Sequence, residues 1–144
     1  LAFACQLPLA AARVAIPEFD RKKYTSPTMM KAALAFLNRG FVEAKPATIE
    51  NMFVHGPSLV RIQFTGPWTK PGSNPKWAYG YTHWIATWRP GPAIEGGPLD
   101  VFDCNGGAMT FDRWEEEIIP LLTRFPRADG GWKPTHIWRL RGVA

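Results

Sequence analysis

The chain has 144 residues, a formal net charge of +5 and 46% apolar residues, which suits one domain with a real core and excludes a disordered chain. It shows no fixed period, heptad run or self-similar block, so collagen, coiled coils and repeat arrays are excluded. No apolar stretch approaches the roughly 18 residues that a membrane span needs. Apart from Arg21, Lys22 and Lys23 the basic residues are scattered, which argues against nucleic acid as a partner.

The 13 Gly and 14 Pro predict many turns and few long helices. The first 16 residues are apolar but lack a basic leader and are interrupted by Pro8 and Arg13, a poor signal peptide. A first helix is predicted over residues 7–15, begun by Cys5 or Gln6 and ended by Ile16-Pro17, with a polar turn over 18–25. The second helix has the clearest signals. Thr25 or Ser26 caps it, Pro27 takes its first position, Met29, Met30, Ala33, Leu34 and Leu37 recur at helical spacing, and Asn38-Arg39-Gly40 closes it. A turn of helix over 48–52 precedes a change of character. Strands are predicted over 58–64, 77–88 (kinked at Gly80), 99–103 and 136–141, and a third helix over 111–123, weakened by Pro120. Helices first, then strands with one helix inserted, read as a single α+β domain, helical over about 1–52 and sheet over about 53–144, with the helices on an antiparallel sheet.

Three residues stand out chemically. Cys5, at the expected start of a helix, would feel the positive end of the helix dipole, which favours thiolate; a free Cys is as commonly a small core hydrophobe. His83 lies in the aromatic run "YTHWIATW", on the strand face of Ile85 and Thr87 and opposite Trp84, Ala86 and Trp88. Asp103 ends "LDVFD" before the turn "CNGG". There it either orients a neighbouring His or, with Asn105, simply forms the turn. Trp68 and Trp77 flank a Pro/Gly/Asn loop that could wall a cleft with Trp84, although aromatic residues also fill small cores. The two cysteines, Cys5 and Cys104, show no metal-ligand spacing. No metal or cofactor is expected, and on strand alternation Cys104 is expected to point away from the face of Asp103.

In chain order Cys, His, Asp, with "CQLPLAAARVA", "TSP", "NRG", "GPSLVRIQF", "THWIATW" and "LDVFDCNGG", the sequence resembles the papain-like cysteine peptidase superfamily. Within it, the branch of bacteriocin-processing (double-glycine) peptidases is the most similar. The resemblance implies a papain-like fold and acyl transfer on a peptide or amide substrate. Cys5 would be the nucleophile, His83 the base and acid, and Asp103 the orienting group, with Asn105 as the other candidate for that last role. Such peptidases place an oxyanion-hole Gln before the Cys, whereas Leu1, Ala2, Phe3 and Ala4 precede Cys5 here. The alternative is therefore a catalytically silent papain-like domain that binds protein partners or builds a larger assembly. Acyltransferase and transglutaminase-like chemistry uses the same residue order.

Overall fold

The computed structural model describes residues 1–17, 25–91, 97–124 and 127–142. The expected polar turn over 18–25 lies almost wholly outside them. Among the described residues the chain is α+β, built on a six-stranded antiparallel sheet. The elements in order are α1 (Ala2–Cys5), α2 (Leu9–Ala15), α3 (Pro27–Phe36), β1 (Phe41–Glu43), α4 (Ile49–Met52), β2 (Gly56–Phe64), α5 (Pro75–Ala78), β3 (Thr82–Arg89), β4 (Asp100–Asp103), β5 (Gly107–Thr110), α6 (Phe111–Glu117), α7 (Ile119–Leu122) and β6 (Trp132–Leu140). The strand order is β1-β6-β2-β3-β4-β5.

The sheet is the middle layer, and each face has its own core. Ala4, Cys5, Met30 and Leu34 from α1 and α3 pack on Leu59, Ala86, Trp138 and Leu140. On the opposite face Met52, Trp68, Trp114, Ile118 and Ile119 cover Val60, Ile62, Ile85, Val101 and Ile137. Because side chains alternate along a strand, β3 sends Ala86 and Trp84 to the first core and Ile85 to the second. No helix among the described residues is long and apolar enough to cross a membrane.

Local chemistry explains where the elements begin and end. Ser26 accepts a hydrogen bond from the Met29 N–H at 3.2 Å and Pro27 opens α3, as its sequence signals require. The expected strand over 77–88 begins only at Thr82. Asn74 caps Pro75 and its successors into a helical turn, a 3₁₀ turn follows over Tyr79–Tyr81, and the Gln63 amide donates to the Ala78 and Tyr81 carbonyls that this geometry leaves open. The expected third helix is two, because Pro120 has no N–H to continue α6 and instead sits in the first turn of α7. The last strand starts earlier than expected, at Trp132, and β1 and β5 are short edge strands whose signals lie in their partners.

β4 and β5 form a tight hairpin, Asp103 pairing with Gly107 across Cys104, Asn105 and Gly106. Gly107 has φ +79° with open space where a Cβ would sit, so its requirement is conformational rather than steric. Gly107→Ala is expected to lower stability by about 1–2 kcal/mol, and Gly107→Asn by less, in urea unfolding. Equal stability of all three would show that the hairpin does not need the left-handed residue.

Candidate active site

His83 lies at the start of β3 and Asp103 at the end of β4. With Ala86 opposite Phe102, the register sets Asp103 across from Ile85. His83 is two residues further along the same face, so the two side chains meet diagonally, within reach of long groups. His83 Nε2 is 3.0 Å from Asp103 Oδ2. The same oxygen accepts from Trp114 Nε1 at 2.9 Å, and Oδ1 accepts from the Asn105 backbone N–H and its Nδ2, each at 2.9 Å. Asp103 is fully buried, and each of its oxygens is engaged twice.

Burial alone would raise the Asp103 carboxyl. The bond and charge of His83, then the Asn105 and Trp114 donors, outweigh it and hold the group well below the usual carboxylate range. An ionised carboxylate only accepts, so His83 must donate through Nε2–H. The neutral ring then keeps its lone pair on Nδ1, which has no partner among the described residues. This is the form of a general base whose tautomer is set by a buried carboxylate.

Of the expected three, only this pair is brought together. Cys5 is the last residue of α1, not the first of a helix, because Gln6 adopts a left-handed cap (φ 53°) and Pro8 starts the next helix anew. The dipole at that end does not favour thiolate. Cys5 is 1% exposed among Leu59, Ala86 and Trp138, on the face of the sheet opposite Ile85, and burial pushes its thiol up, with Arg39 offsetting only part of the shift. The expected direction of Cys104 is corrected as well. It lies in the turn after β4, where strand alternation no longer applies, and its sulfur, a His83 ring nitrogen and an Asp103 oxygen all lie within 4.8 Å of one another. Cys104 is exposed, and burial of its sulfur and the adjacent Asp103 charge raise its thiol pKa. Both thiols are free.

Trp68 and Trp77 line a cleft with Tyr81, Pro67 and Arg127, but Trp84 does not join them. Its indole donates to the Thr25 carbonyl at 2.8 Å and packs beside Trp138 on the helix-covered face. Trp114, the second donor to Asp103, was not singled out in the sequence. The only signal for it is an aromatic donor in a helix directly after the Asp hairpin. His83, Asp103 and Cys104 are also metal-ligating types, but ligation by Asp103 would forfeit hydrogen bonds already made to both of its oxygens. No protein-family model, curated protein or solved structure matches the chain.

Because the folded Asp103 pKa lies below its unfolded value, its contribution is full above about pH 4 and is lost as pH falls through the folded value. Urea midpoints of the wild type should therefore drop at acid pH. Asp103→Asn, whose amide would face the Trp114 and His83 donors, should cost about 2–3 kcal/mol at pH 7 and flatten that acid limb. An unchanged acid limb in the variant would show that other groups set it.

Proposed function

We propose that the chain is a thiol-dependent peptidase or amidase, with His83 as base and acid and Asp103 as its orienting group, in a chain order (His, Asp, Cys104) that departs from the papain-like one. The observation that carries the reading is the His83–Asp103 bond on a carboxylate saturated by Trp114 and Asn105, with Nδ1 unpartnered among the described residues. Cys104 takes the role first expected of Cys5, because its sulfur shares the cluster and the residue is exposed. In this scheme the His83 ring takes the Cys104 proton and the sulfur adds to the substrate carbonyl carbon. The tetrahedral species then collapses, breaking the C–N bond, and the amine leaves with the proton from the imidazolium. Water, deprotonated by the same ring, hydrolyses the thioester and restores the thiol.

One observation favours the second reading, a silent domain used for binding or assembly: both thiols are held protonated rather than activated. The two readings separate in one experiment, hydrolysis of a peptide and amide library by wild type and variants. Cys104→Ala and His83→Ala should each lower the rate by at least about 1000-fold, without adding in the double variant. Cys5→Ala should retain turnover and lose about 1–3 kcal/mol of stability, as expected for a small core residue. Turnover that survives Cys104→Ala rejects the thiol assignment, and a wild type that cleaves nothing favours the binding domain.

A further inference from the structure

The cleft of about 290 Å³ bounded by Pro67, Trp68, Trp77, Tyr81 and Arg127 is built rather than incidental. Trp68 and Tyr81 stack with ring centroids 3.5 Å apart, and the Trp68 indole is pinned to the Phe64 carbonyl at 2.7 Å. Gly66 lets the walls close. A Cβ there would lie 2.6 Å from the Trp68 ring and 2.9 Å from the Arg127 carbonyl. Trp77 is 62% exposed although it lines the cleft, an aromatic face held open to solvent.

Charge and position give the occupant. Residues 66–82 contain Lys70 and Lys76 and no carboxylate, and Arg127 lines the cleft itself. Asp129, the nearest acid in sequence, has Oδ1 engaged by the Thr65 hydroxyl and the Gly131 N–H, so it ties the turn together. Tyr81 is two residues before His83, and Trp68 shares the core of Ile85 and Trp114, on the Asp103 side of the sheet.

We infer that this cleft is a substrate subsite for a peptide bearing both an aromatic side chain and a free carboxylate. The ring rests on Trp77 and the Trp68–Tyr81 pair, and the carboxylate pairs with Arg127. The inference rests on the acyl-transfer reading of His83 and Asp103 and names its substrate class. Ring stacking and a charge-assisted bond to Arg each supply selectivity of about tenfold.

The test is an NMR titration of the Trp77 indole N–H with N-acetyl-L-phenylalanine, its amide and N-acetylglycine. It is run on wild type and on His83→Ala, in which turnover plays no part. The aromatic acid should bind both proteins equally, and about tenfold more tightly than either the amide or the glycine analogue. Trp77→Ala, with the titration followed on probe resonances, and Arg127→Ala should each weaken binding about tenfold, and Arg127→Ala should abolish the preference for acid over amide. Both side chains are exposed, so neither change endangers the fold. Equal binding of acid and amide, binding untouched by Trp77→Ala, or no binding overturns the inference. Selective binding by a wild type that hydrolyses nothing leaves the subsite standing and removes the acyl-transfer reading. Hydrolysis indifferent to ring and carboxylate does the reverse.

Discussion

A carboxylate with no water around it must find its hydrogen bonds within the protein, and Asp103 finds all of its own. A strand His, a helix Trp and the turn that follows it converge on two oxygens, from three separate pieces of chain. Breaking the Trp114 contact leaves a buried indole N–H unpaired, a cost larger than the bond's net contribution when made. The arrangement therefore ties β3, the β4–β5 hairpin and α6 together while setting the His83 tautomer. Stability and candidate chemistry depend on the same group.

Much of this was legible in residues read singly. Ser26-Pro27 announced α3, the alternation in "THWIATW" separated the faces of His83 and Trp84, and "LDVFD" before "CNGG" announced a strand that delivers Asp103 to a turn. His83 and Asp103 on neighbouring strands follow from that pattern, and the register agrees. What misled was local punctuation. The run 7–15 reads as a helix begun by Cys5 or Gln6, but the left-handed Gln6 followed by Pro8 separates Cys5 from it, and Cys5 becomes the end of a short helix in the core. Trp114 was not visible because its role depends on where α6 docks across the sheet, a long-range event that no local pattern encodes.

The proposed exchange of one cysteine for the other has a simple physical basis. Cys5 is enclosed by apolar side chains that cannot stabilise a thiolate, and its face of the sheet is closed by α1 and α3. Cys104 sits where the hairpin reverses, so its side chain stays beside Asp103 instead of crossing the sheet. The same position exposes it to the Asp103 charge, which opposes ionisation. Any nucleophilic role must therefore draw the proton off through His83 as the bond to carbon forms, rather than start from a resting thiolate.

The account stands on the proton borne by His83. A long-range ¹H–¹⁵N correlation spectrum of the neutral His83 ring reads it directly. The account predicts the Nε2–H tautomer, with Nδ1 unprotonated and the Nε2 proton in a hydrogen bond to Asp103. A ring protonated on Nδ1 would contradict it, because His83 would then have no base facing away from the carboxylate and would turn a lone pair, not a donor, toward Asp103 Oδ2.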